Sequence, residues 1–225
     1  MLVVHHLNNS RSHRILWLLE ELAVPYELRR YQRDPETMLA PRELRAIHPL
    51  GKSPVVTDGE DVVAESGAII EYILDRHDRG HLRPEPGTPE HLQYRYWLHY
   101  AEGSAMSPLL LKLVFMRLEQ GVGPLFLRPV IRQIARQVQA QYVDKEFTEH
   151  MRYWEAHLAR HEWFAGEAFC AADVQMSFPL EAAESRADLG ACPHINRFLT
   201  AIRQRPAYQR AVEAGGPFDL NSAFA

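Results

Sequence analysis

The sequence predicts two halves of different fold class: an α/β N-terminal domain followed by an all-helical C-terminal bundle. Three observations carry this. Apolar runs with strand character alternate with helical periodicity over the first 80 residues or so. A segment with three prolines and a glycine, HLRPEPGTP, follows at 81–89. After it no convincing strand pattern appears. The expected organisation is therefore 1–80 as the first domain, 81–89 as linker and 90–225 as the helical domain.

Leu2–Leu7 is a short apolar run that suits a strand buried on both faces. Asn8-Asn9-Ser10-Arg11 is turn chemistry. Ile15, Leu16, Leu18, Leu19 and Leu22 then repeat with helical spacing, and Pro25 stops the helix. Tyr26–Tyr31 reads as a second strand. The polar stretch from Pro35 to Ile47 has a short helical tendency near Arg42–Ala46. Pro54–Thr57 and Val62–Ala64 flank Asp58-Gly59-Glu60, the pattern of a hairpin. Ile69, Ile70, Ile73 and Leu74 give the next helix one apolar face. The order β-α-β-α-β-β-α is that of a thioredoxin-like domain.

In the second half, Glu90 to Leu118 is helical, with a kink expected around Gly103 and Pro108. Ile131, Ile134, Val138 and Tyr142 line one later helix. Phe147, Met151, Trp154 and Leu158 line another, and Ile195, Phe198, Leu199 and Ile202 a last one. The tail from Gly215 is expected to be loosely held.

Composition narrows the function classes. The 225 residues are 46 % hydrophobic and 24 % charged, with a net charge of −4, a globular balance that gives no electrostatic footprint for nucleic acid. No apolar run approaches the ~20 residues that span a bilayer. The N-terminus lacks a secretion-signal layout. The two cysteines, Cys170 and Cys192, have no metal or redox spacing. A cytoplasmic protein without a metal or membrane partner is the expectation. His157 and His161 stand at i, i+4, but with no third ligand nearby they read as a solvated helix face.

The chemistry concentrates at His48–Glu71, HPLGKSPVVTDGEDVVAESGAIIE. Pro54 stands between Gly51-Lys52-Ser53 and Val55-Val56, where a proline can open a strand. A cis Ser53–Pro54 bond is allowed there, and the main chain of Val55 would be free to pair with an extended ligand. Glu65 and Ser66 fall where strand becomes helix. Helix N–H groups suit a carboxylate, and Glu65 suits an ammonium group. Together they would hold a zwitterionic amino-acid head. Taken singly, Pro54 is also a strand punctuator and Ser66 a helix cap.

This arrangement resembles the glutathione S-transferase family, and the resemblance covers nearly the whole chain. It implies a cis-proline whose following residue pairs with the cysteinyl main chain of glutathione, and a Glu–Ser pair for the γ-glutamyl end. Glutathione is then the co-substrate, and a small hydrophobic electrophile the second. In serine-type members the catalytic serine lies in the first loop, four residues before an arginine. Ser10 matches through Arg14, and Ser12 is the second candidate, although either serine can cap the helix. Asn9, Arg11, Lys52 and Ser53 complete the expected pocket, Lys52 as a partner for the glycine carboxylate or as a solvated lysine. His48 is expected to be exposed.

Met106, Leu109, Leu110, Leu113 and Phe115 are candidates for the electrophile wall or for core. The family's capping box near Ala165–Glu181 has Cys170 at the cap and Asp173 three residues on. That costs stability rather than chemistry, and Cys170 reads equally as a small buried hydrophobe. The resemblance also implies a homodimer, to which Arg76, Tyr94, Tyr96 and Glu102 are candidate contributors. A glutathione-dependent peroxidase or dehalogenase, or a non-catalytic binding protein of the same fold, are the alternatives.

Overall fold

A computed structural model describes residues 1–34, 37, 39–121, 123–216 and 220. Pro35 and most of the tail beyond Gly216, for which a loose attachment was expected, lie outside the described residues. The elements are β1 (Leu2–Leu7), α1 (Ser12–Glu21), β2 (Tyr26–Tyr31), α2 (Arg42–Ile47), β3 (Val55–Asp58), β4 (Asp61–Ala64) and α3 (Ser66–His77). Then come α4 (Pro89–Tyr100), α5 (Met106–Glu119), α6 (Arg128–Val138), α7 (Asp144–Leu158), α8 (Ala171–Glu184), α9 (Pro193–Gln204) and α10 (Pro206–Gly215). Among the described residues every strand belongs to the first group, so the α/β and all-α classes are as the sequence predicts.

The four strands form one mixed sheet in the order β2-β1-β3-β4. β1 and β2 run parallel, while β3 is antiparallel to both β1 and β4. One end of the sheet therefore gathers the ends of β2, β1 and β4 and the start of β3. Neighbouring strands stand about 4.8 Å apart, so the four loops at that end lie side by side in a row. This row is the framework of the site.

Helix α1 departs from the expected one-faced amphipathic pattern. Trp17 is buried with Ile15, Leu16, Leu18 and Leu19, and even Arg14 is 1 % exposed. The reason is tertiary: one side of α1 packs on β1 and α3, while α8 and α10 of the helical half cover the other. One continuous cluster of buried apolar side chains runs through both halves. Burying a large aliphatic side chain is worth about 1.5–3 kcal/mol, so these helices attach firmly to the sheet.

The kink expected near Gly103 is a wide π-turn at Ala101–Ala105, after which α5 resumes with Pro108 in its first turn. On α7 and α9 the predicted apolar faces are buried. On α6 and the π-turn that follows it at Gln139–Val143 they are not, because Ile134 and Tyr142 stand exposed at 55 % and 56 %. The main packing of α6 on another long helix is on α5, at the rim of the bundle. Cys170 is buried, and its N–H donates to the Asp173 carboxylate at 2.8 Å, which closes the capping box. His157 corrects the sequence reading: it is 8 % exposed, and its Nε2 lies 3.0 Å from the Phe164 carbonyl. Packing against Trp97 and Phe164 explains its burial.

Candidate active site

The row of loops at the sheet end opens on a cleft of about 490 Å³, closed on its far side by α5 and α8. In order across the sheet, Glu65 and Ser66 follow β4, Ser53 and Pro54 precede β3, Asn9, Ser10 and Arg11 follow β1, and Arg33 follows β2. A larger hollow of about 990 Å³ lies on the outer face of α4, α5 and α7. It is rich in tyrosine, but it contains none of the loop residues, so the smaller cleft is the chemically equipped one.

Ser10 lines the cleft and is buried at 5 % exposure. It stands just before α1, and its carbonyl accepts the N–H of His13 at 3.3 Å. Its Oγ accepts the Ser12 N–H at 3.3 Å and donates to Ser53 Oγ at 3.3 Å. The partial positive charge of a helix N-terminus therefore falls on this hydroxyl. Ser12 does not line the cleft. Its hydroxyl is fully buried behind Ser10, with Ser10 Oγ at 2.7 Å and His6 Nδ1 at 2.9 Å. Burial pushes His6 down to about 4 and His13 down to about 3. Both rings are neutral at pH 7, so His6 supports Ser12 as a polar partner and not as a cation.

The Ser53–Pro54 bond is cis. Ser53 donates its hydroxyl to the His5 carbonyl at 3.2 Å. Val55 corrects the expectation of a free pairing edge. It lies in β3 with His5 on one side and Ala64 on the other, and it is fully buried. A strand with neighbours on both sides offers no edge to a third. Ser53, outside the strand, is the residue before the proline that faces the cleft.

Glu65 has φ 71°, a region that costs a non-glycine residue roughly 1–3 kcal/mol. The carboxylate is exposed at the cleft. Ser66 opens α3 and is buried, and its Oγ accepts from Arg14 at 3.0 Å. Its own O–H is thereby available as a donor. Lys52 is exposed at the rim, and His48, expected to be exposed, is half-buried and lines the cleft.

The groups that sequence reasoning missed come from afar. Arg14 entered only as a spacing marker. In the structure it donates to Ser66, to the Gln175 carbonyl at 2.5 Å and to Glu102. Glu102 also pairs with Arg11 at 3.1 Å. Burial draws the Arg14 guanidinium below its ordinary value, against the pull of Glu102. Burial alone would raise the Glu102 carboxyl, but Arg14 and Arg11 hold it below the usual range. This cluster places Glu102 at the cleft, while Tyr94, another candidate for a dimer contact, is core at 1 % exposure and corrects that expectation.

Met106, Leu110 and Leu113 face the cleft, whereas Leu109 is core and Phe115 lies off the lining. Phe178 and Arg186 of the α8 segment complete the wall. Only long-range packing brings these two to the loops, so no local signal could have found them. No group of three or more His, Cys, Asp or Glu among the described residues could hold a metal ion, and none of their helices is long and apolar enough to cross a membrane.

Comparison with known proteins gives a consistent result. The family model described as "Glutathione S-transferase, N-terminal domain" matches residues 1–75, and "Glutathione S-transferase, C-terminal domain" matches 115–206. The chain is 39 % identical to Glutathione S-transferase 3 of Schizosaccharomyces pombe, across 95 % of this chain and 87 % of that one. It is 31 % identical to Glutathione S-transferase 1 of Saccharomyces cerevisiae, across 93 % of each. A crystal structure of a glutathione S-transferase from Actinobacillus pleuropneumoniae superposes with a TM-score of 0.82 at 36 % identity, covering 100 % of this chain and 97 % of that one.

Proposed function

We propose a glutathione transferase activity, with glutathione as co-substrate, for this chain, which belongs to the glutathione S-transferase family. The observation that carries the reading is the row of loops: Glu65–Ser66, Ser53–Pro54 and Ser10 face one cleft in the order of an extended tripeptide. The γ-glutamyl ammonium pairs with Glu65, and its carboxylate takes the Ser66 hydroxyl and the N–H groups that open α3. The cysteinyl main chain lies along Ser53, which takes the role expected of Val55. Lys52 serves the glycine carboxylate, with Asn9 and Arg11 as polar lining.

The cysteinyl sulfur then rests beside Ser10. An alkyl thiol near pKa 8.5 is only a few per cent ionised at pH 7. Lowering that by two units takes about 2.7 kcal/mol of preference for the anion. The Ser10 O–H, turned from Ser53 to the sulfur, and the α1 N-terminus supply it, while Ser12 positions Ser10 rather than touching sulfur. The thiol proton passes to solvent. The sulfur forms a bond to an electrophilic carbon, and the leaving group departs with its bonding pair. Met106, Leu110, Leu113 and Phe178 offer the electrophile an apolar surface.

The remaining expectations join this proposal: domains at 1–80 and 90–225 about the 81–89 linker, a two-fold homodimer and a cytoplasmic location. The test is calorimetric titration with glutathione. Saturable binding by the unmodified protein, weakened about tenfold or more in Glu65→Ala, is expected. No binding by the unmodified protein would remove the transferase reading.

A further inference from the structure

We propose that the second substrate is an acidic electrophile: an apolar, aromatic-sized molecule whose anionic group, a carboxylate above all, seats on Arg186. The inference rests on the transferase reading and adds to it the chemical class of the electrophile.

The sheet end fixes the direction. The γ-glutamyl anchors follow β4, the cysteinyl main chain lies at β3 and the thiol at β1, so the next position outward is the end of β2, where Arg33 lines the cleft. Helix α8 marks the same axis. Its Gln175 carbonyl holds Arg14 beside Ser66, its Phe178 ring lies under Arg11 and Arg14 at 5.4 and 5.5 Å, and Arg186 lies in the turn just past its C-terminal end at Glu184, further along the helix direction than Phe178. Arg186 thus stands on the far side of Ser10 from the γ-glutamyl end.

The electrostatics of that far side are unbalanced. Arg14 and Arg11 share Glu102. Arg186 has no carboxylate within ion-pairing distance among the described residues. Its one hydrogen bond there is to a neutral acceptor, the Ala182 carbonyl at 2.7 Å, and its Nε is buried without a partner. Burial, with Arg11 adding to it, draws the Arg186 guanidinium down to about 10. Arg11 likewise lowers Arg33, second to burial. Arg11 thus disfavours the charge on both Arg33 and Arg186, and the carboxylate that Arg11 pairs with, Glu102, is already shared with Arg14. A desolvated cation beside other cations costs free energy unless an anion joins it. Leu110, Leu113 and Phe178 hold the apolar body, and Arg186 receives the charge.

Two measurements on the whole protein test this. In the unmodified protein, 3-nitrobenzoate and 3-nitrobenzamide are compared as inhibitors. The acid is expected to act at a concentration at least about tenfold lower, the size of one charge-assisted bond, and to compete with the electrophile and not with glutathione. Equal potency, or competition with glutathione, would overturn the proposal.

The second measurement follows transfer to 4-chloro-3-nitrobenzoate and to its benzamide. In each, sulfur replaces chlorine and chloride leaves with the bonding pair. Each kcat/KM is divided by the uncatalysed rate constant, so ring electronics cancel. The acid-to-amide preference is expected to fall about tenfold or more in Arg186→Gln and to be partly kept in Arg186→Lys. An unchanged preference in Arg186→Gln would sink it. Calorimetric binding of glutathione by the same preparation separates the two levels: its presence with no acid preference removes only this proposal, and its absence removes the reading beneath it.

Discussion

The two walls of the cleft are built differently. On the sheet side, polar atoms are locked to one another: Ser10 with Ser12 and Ser53, Ser53 with the His5 carbonyl, Ser66 with Arg14. On the helical side, Leu110, Leu113 and Phe178 present apolar faces, and Arg186 has no ionic partner among the described residues. The difference teaches how one cleft can serve an invariant and a variable substrate. A substrate whose polar atoms are always the same is met by groups fixed in advance, which lowers the entropy lost on binding. A variable partner is met by apolar surface, which is non-directional, with one charge for orientation. Arg14 and Glu102 join the two walls.

Removing that join should have the largest effect. Arg14→Ala leaves Glu102 with Arg11 alone and removes the donor to Ser66 and the Gln175 carbonyl, and we expect a loss of roughly 3 kcal/mol in denaturant-unfolding stability. A loss below about 1 kcal/mol would mean that the walls hold together without it.

Acid should weaken the sheet wall next. His6 and His13 have folded pKa values of about 4 and about 3, below the unfolded 6.5. The unfolded chain thus binds protons first, and stability is lost as pH falls below about 6.5, down to the folded values. Between pH 7 and 5 the loss is about 2 kcal/mol per histidine. The buried carboxyls of Asp173 and Glu181, pushed up to about 7, act in the opposite sense over this window, so the check is the difference in urea midpoint between the unmodified protein and His6→Asn at each pH: the variant should lose less stability than the unmodified protein on going from pH 7 to 5.

The two serines divide the sheet wall further. Ser10→Ala should lower kcat by about ten- to a hundredfold and shift the kcat pH profile upward, while calorimetric glutathione affinity changes little. Ser12→Ala should lower kcat by only a few-fold. Equal losses would give Ser12 a direct role at sulfur. The smallest effect should come from the helical wall, where Leu113→Ala raises the KM for an apolar electrophile a few-fold, by about 1 kcal/mol, and leaves glutathione affinity unchanged.

Legibility in the sequence follows the same division. β1, the β3–β4 hairpin and the stop after Glu21 are local matters of strand alternation and turn residues. The candidate residues Ser10, Ser53, Pro54, Glu65 and Ser66 sit in short loops whose spacing is fixed by flanking elements. Val55 was misplaced because adjacency in sequence does not say which residue lies inside the ladder. Ser12 stood as second candidate to Ser10 because spacing alone does not show that two residues so close at a helix start point to different sides. Arg186 and Phe178 had no local signal, since a residue on a helix and one in the turn after it mean nothing together until another surface meets them.

The sequence by itself determined the two fold classes and the loops that carry hydroxyls, proline and carboxylate, because periodicity and turn chemistry act within a few residues. Tertiary structure alone decided that α1 is buried on all sides, that Arg14 reaches Ser66, Glu102 and α8 at once, and that Arg186 faces the cleft without an acid. Those outcomes depend on how the helical half packs across the sheet end. Desolvation and charge pairing there are properties of groups up to 161 positions apart, and no local pattern records them.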